Sequence, residues 1–187
     1  MIKVMAMARI MKYSTSPDKL SKGLLKSGFT LIELVIVMVI LSISALIVIP
    51  MIGSASSSQL SSAADILASD LEYARSMAIS RGYTYLVVFD SANNSYEIRD
   101  ETNAVIRHPV KKGFDYVVRL GPGQMFDTVT ISSANFNSTN VIKFDSLGSP
   151  YSGTNAALNN GAVVLQAATA TMTVSIEPVT GYISISE

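Results

Sequence analysis

Few residues of this chain could carry out chemistry of their own. There is no Cys, which excludes thiol catalysis, thiolate metal sites and disulfides. The one His, His108, precedes Pro109 and has no Cys or second His beside it, so it reads as structural and no metal is expected. Asp100-Glu101 reads as a solvated turn rather than an acid/base pair. The many Ser residues stand in no pattern with His108 that would make a nucleophilic triad. No GxxxxGK[ST] run exists to cradle a nucleotide phosphate, so neither a motor ATPase nor a nucleotide cofactor is expected. Two features need a chemical reason. Glu33 is the single charge between Phe29 and Ile49. A carboxylate well inside an apolar span costs on the order of 3 kcal/mol and calls for a partner, although headgroup level at the end of the span would lower that cost. The second feature is Arg107, His108, Lys111, Lys112 and Arg119, which two strands folding back could gather into a weak basic patch; a solvated hairpin end is the simpler reading.

Glu33 belongs to an element that can be read directly. From Leu34 to Ile49 there is no charge, Gly or Pro. Residues 29–49 as a helix span roughly 31 Å, about one hydrocarbon thickness. Lys19, Lys22 and Lys26 lie just upstream, and the next basic residue downstream is Arg75. That asymmetry orients a span with its N-terminus in the cytoplasm and its C-terminal part outside. The apolar run is too long for the core of an ordinary secretory signal, which runs about 7–15 residues. A plain uncleaved anchor would explain the run but neither Gly28 nor Glu33.

Gly28, Phe29, a carboxylate four residues later at Glu33, and the aliphatic run behind it together resemble the class III signal of type IV prepilins and pseudopilins. The resemblance implies that a prepilin peptidase cuts after Gly28 and that the new N-terminal Phe29 is N-methylated. It also implies that Glu33 pairs with the N-terminal amine of a neighbouring subunit. Pro50 matches the helix-kinking Pro of many pilins, and Pro in a helix removes a hydrogen bond and clashes with the preceding turn. Residues 1–28 then form a cleaved basic leader, with six Lys/Arg against Asp18 for a net of +5. Residues 29–53 form the transmembrane and filament-core helix.

Beyond Pro50 and Gly53 the helix is expected to resume and run to about residue 82. Leu60, Ala64, Leu67, Leu71, Ala74 and Ala78 recur at four, three, four, three and four, one apolar face widened by Ile66, Tyr73 and Met77. Arg81-Gly82 is a stop signal. Residues 83–187 read as antiparallel β. Strands are expected over 83–89, 96–99, 105–110, 116–120, 128–132, 141–144, 162–166 and 171–176, with a last hairpin strand over 182–186. Residues 149–161 read as a small-residue loop. The expected class is α+β, with a long N-terminal helix packed on an antiparallel sheet or sandwich.

The run from Asp65 to Gly82, with its Asp70-Leu71, Ala74-Arg75 and Ala78-Ile79 elements, resembles the helix of GspH/FimT-type minor pilins. Phe144-Asp-Ser-Leu-Gly148 and Thr180-Gly181 resemble that family's turn elements. The resemblance implies a structural minor subunit of a type IV pilus or a type II secretion pseudopilus, not an enzyme. Its implied partners are prepilin peptidase, other pilins, the inner-membrane assembly platform and membrane lipid. The alternative function is a FimT-like receptor for DNA uptake. DNA is not expected as a partner, because residues 55–187 carry eight Lys/Arg against twelve carboxylates, a net of −4.

Overall fold

The computed structural model describes residues 28–187, with the side chains of residues 46–54 left out. The leader up to residue 27 lies outside the described residues. The chain divides into two compact units, one ending at Ser42 and one covering Ile43–Glu187.

Helix α1 runs Leu31–Arg81. Its backbone stays helical through Pro50 and Gly53, so the local break expected there does not occur; the kink expected at Pro50 falls among residues whose side chains are outside the description. Before Ser42 the large apolar side chains are exposed on every side of the helix, Leu31, Met38 and Leu41 among them. Among the described residues no helix is long and apolar enough to cross a membrane. In the second unit the four-three stripe is fully buried from Leu60 to Ala78. The helix ends as its sequence predicts. Gly82 takes a φ of 73° and its N–H donates to Ala78 O at 3.0 Å, a left-handed cap that spares a Cβ the strain.

Nine strands follow: β1 Tyr85–Asp90, β2 Ser95–Arg99, β3 Val117–Arg119, β4 Val129–Phe136, β5 Val141–Phe144, β6 Pro150–Ser152, β7 Gly161–Ala167, β8 Ala170–Ile176 and β9 Ile183–Ser186. They form two sheets, in the orders β3-β2-β1-β5-β6 and β4-β7-β8-β9, with every neighbouring pair antiparallel. Burial alternates along β1, β2, β5 and β7, so each sheet offers one apolar face. Phe89, Phe136, Phe144, Ile98, Ile142 and Leu165 from those faces share one core with the helix stripe.

Two expectations are corrected. Residues 105–110 are not a strand. They make only isolated bridges, Arg99 with Val105 and Arg107 with Asp115, because Pro109 cannot donate a ladder hydrogen bond and the chain turns at His108–Lys111. Residues 149–161 are not simply a loop. Pro150–Ser152 joins the sheet as an edge strand, where a missing N–H costs nothing, and Ser152 is fully buried.

Side chains tie the two sheets together. Asn94, at a φ of 51° in the β1–β2 turn, donates from Nδ2 to Val129 O at 3.0 Å and accepts from Ile131 N at 2.6 Å. Its amide thus serves as a strand partner to β4 just before that strand's register shift at Ile131/Ser133.

Candidate functional site

The N-terminal motif occupies the start of α1. Gly28, Phe29 and Thr30 precede the helix in non-helical backbone. Among the described residues, chain neighbours apart, no atom lies within 4 Å of where a Cβ on Gly28 would sit, and Phe29 is 80% exposed. Thr30 caps the helix: its Oγ1 accepts the Glu33 N–H at 3.2 Å, and the Glu33 carboxylate accepts the Thr30 N–H at 3.4 Å. This is a reciprocal capping box, readable in the sequence as Thr-x-x-Glu, and it gives Glu33 a partner within its own chain. Glu33 therefore sits at the positive end of the helix dipole with its charge directed at the segment holding Phe29.

The basic residues are only partly brought together. Arg107 is engaged within its own loop, 2.9 Å from Asp115 and 3.3 Å from Gly113 O. Lys111 and Arg119 both line a groove beside Asp70 and Tyr116, whereas Lys112 is not part of its lining. His108 is structural, as expected. Its Nδ1 accepts the N–H groups of Val110 and Lys111, both at 3.2 Å, and its ring stacks on Tyr116 with centroids 4.5 Å apart.

A buried polar cluster lies beneath that stack. Asp70 accepts hydrogen bonds from the hydroxyls of Tyr96 at 2.6 Å and Tyr116 at 2.8 Å. Burial pushes the Asp70 carboxyl up from its ordinary value, against the two tyrosine hydrogen bonds, which pull it down. Burial and the nearby Asp70 charge push both tyrosines up. Asp70 reads as an off-stripe surface residue in the sequence. The tyrosines come from β2 and from just before β3, so nothing local announces their meeting.

Arg75 explains three sequence elements at once. Its Nε donates to Gly148 O at 3.2 Å and its Nη2 to Thr180 O at 2.7 Å. One guanidinium thus holds the turn after β5 in the first sheet and the turn after β8 in the second. Gly148 and Gly181 make the approach feasible. A Cβ on Gly181 would lie 2.7 Å from Gly148 O, and one on Gly148 would lie 2.8 Å from Ile79 Cδ1. The Ala-Arg, Phe-x-x-x-Gly and Thr-Gly elements of the sequence are the parts of this one junction.

That junction, from Arg75 to Thr180, lies within the stretch that decides the family: residues 63–180 match the family described as Type II transport protein GspH. The chain belongs to the GspH family. Residues 25–49 match the prokaryotic N-terminal methylation motif, which takes in Gly28, Phe29 and Glu33. No curated protein matches the chain in sequence. Among solved structures, the type IV minor pilin FimU of Pseudomonas aeruginosa is similar at 17% identity and a TM-score of 0.46, over 68% of this chain and 93% of that one. The minor pseudopilin EpsH from the type 2 secretion system of Vibrio cholerae is similar at 10% identity and a TM-score of 0.49, over 68% and 95%. As a GspH-family protein the chain is a structural minor subunit of the pilin and pseudopilin kind, not an enzyme.

Proposed function

We propose that this GspH-family chain is cut between Gly28 and Phe29 by a prepilin peptidase and methylated on the new Phe29 amine. It waits in the bacterial inner membrane and is then built through α1 into a type IV pilus or type II secretion pseudopilus. The leader stays cytoplasmic and the β domain lies outside. The observation that carries the reading is the start of α1. An accessible, non-helical Gly28-Phe29 bond precedes a capped helix whose large apolar side chains are exposed on every side before Ser42. A helix apolar all round needs a lipid or protein environment, and the assembly platform and neighbouring subunits supply each in turn. Pro50 is assigned the kink that lets this segment bend within the filament.

The N-terminus of the protein from its native host tests the processing step. It should begin at N-methyl-Phe29; an N-terminus further along, near residue 56, would mean an ordinary secretory signal. The role of Glu33 separates by substitution. Glu33→Ala should insert into the membrane as well as the wild type, since the span becomes more apolar, yet enter filaments poorly. Glu33→Gln keeps a capping-box acceptor but no charge. Failure of both to assemble supports pairing with a neighbour's amine, whereas wild-type assembly of the Gln variant would reduce Glu33 to a helix cap.

A further inference from the structure

The groove beside Asp70 has features that the subunit reading does not use. It encloses about 480 Å³, within the range of sites that take a side chain or a small ligand. Ile66 and Asp70 of α1 form one wall, the His108–Lys111 turn a second, and Met125 and Phe126 a third, with Tyr116 and Arg119 also in the lining. Its floor is fixed before anything binds. Tyr116 is stacked against both His108, at 4.5 Å, and Tyr73, at 5.6 Å, and its hydroxyl is held by Asp70. His108 Nδ1 in turn fixes the backbone of the two residues, Val110 and Lys111, that stand at the groove's edge.

The edge is both apolar and cationic. Val110 is 82% exposed and Met125 77%, and both line this one groove. Lys111 and Arg119 are exposed and make no ion pair among the described residues, unlike Arg107, Arg99 and Arg75. The only carboxylate in the lining, Asp70, has both oxygens occupied by tyrosine hydroxyls. We infer that this groove docks an acidic peptide segment of a neighbouring protein subunit, a single apolar side chain entering between Val110 and Met125 and flanking carboxylates meeting Lys111 and Arg119. Charge complementarity selects that occupant: two free cations frame an apolar slot on a domain that is otherwise net acidic. A nucleic-acid backbone would need a wider run of cations and has no use for an apolar slot. The inference rests on the subunit reading only for the identity of the neighbour.

The test uses the full chain in dodecyl maltoside micelles and a fluorescein-labelled peptide, acetyl-Asp-Glu-Leu-Phe-Glu-Asp-amide, followed by anisotropy. Saturable binding is expected. It should weaken about tenfold with Lys111→Glu plus Arg119→Glu, and by roughly threefold or more with Met125→Ser. A control peptide with Gly for Leu and Phe should bind at least about tenfold more weakly. Four results would each overturn the proposal: no binding by 1 mM peptide (about the weakest affinity worth reading), binding indifferent to the Lys111/Arg119 reversal, equal binding of the control, or tighter binding of a DNA duplex with the same dependence on the variants. Filament incorporation of the same variants is read separately, so a failed docking site leaves the subunit reading standing.

Discussion

At the scale of single residues, Asp70 holds together the polar cluster under the His108–Tyr116 stack. It lies on the helix, half buried, and satisfies two tyrosine hydroxyls that have almost no access to water. Removing it in Asp70→Ala leaves both hydroxyls unpaired and should cost about 3 kcal/mol, read by chemical denaturation. Asp70→Asn can still accept from one hydroxyl and donate to the other, so it should fold well. The pH dependence follows from the sign of the shift. Burial, the leading cause, raises the folded-state value above the ordinary 3.8, so the folded state holds the proton more tightly than the unfolded chain. The contribution of this group is fully present below 3.8 and is lost as pH rises through the raised folded value. The wild type should therefore gain stability relative to Asp70→Asn as pH falls through that window. Parallel stability curves for the two proteins would show that Asp70 is not shifted.

At the scale of elements, the fold depends on how one helix holds two sheets. The apolar stripe supplies burial but no register, and Arg75 supplies the register at one end. Arg75→Ala removes two charge-assisted hydrogen bonds to carbonyls on different sheets, Gly148 O and Thr180 O, and should destabilise by about 3 kcal/mol. Arg75→Lys keeps the charge but not the fork and should recover only part of that loss. Two glycines with similar backbone make a sharper comparison. Gly82 has a φ of 73° and open space around it, so Gly82→Ala meets backbone strain of about 1 kcal/mol. Gly181 has a φ of 64°, and its Cβ would sit on a backbone carbonyl; Gly181→Ala should cost clearly more, measured as a larger drop in Tm. Equal drops would mean that the junction tolerates separation of its two turns.

At the scale of the whole molecule, residues 55–187 should fold as a soluble domain without the apolar run. The stripe from Leu60 to Ala78 already has sheet to cover, and about 130 residues suffice for one core. Cooperative unfolding and dispersed amide resonances would bear this out; a soluble but unfolded chain would place the boundary elsewhere. The same domain should bind double-stranded DNA weakly or not at all. Its net charge is −4, and Arg107 is already committed to Asp115. A salt-sensitive mobility shift at micromolar protein, lost in Lys111→Ala with Lys112→Ala, would instead favour the DNA-receptor function.

The sequence by itself determined the elements whose cause is local. The helix stripe shows because period 3.6 places Leu60, Leu67 and Leu71 on one face whatever they pack against. The hairpin β1–β2 and the β8–β9 pair show because alternation and turn residues act over a few positions. The N-terminal motif is equally local, and its capping box could have been read from Thr30 and Glu33. The strand expected over 105–110 failed because a β-rich composition says nothing about whether a partner is available, and Pro109 removes the donor that one would need. Edge strand β6 was hidden for the opposite reason: three residues opening on Pro150 carry little strand signal, and β5 supplies the pairing. What only the tertiary structure decided is which distant polar groups meet. Asp70 finds Tyr96 and Tyr116, Asn94 finds β4, and Arg75 finds two turns 73 and 105 residues away. Buried donors and acceptors must be paired, but the requirement names no partner; the packing of one helix against two sheets chooses it.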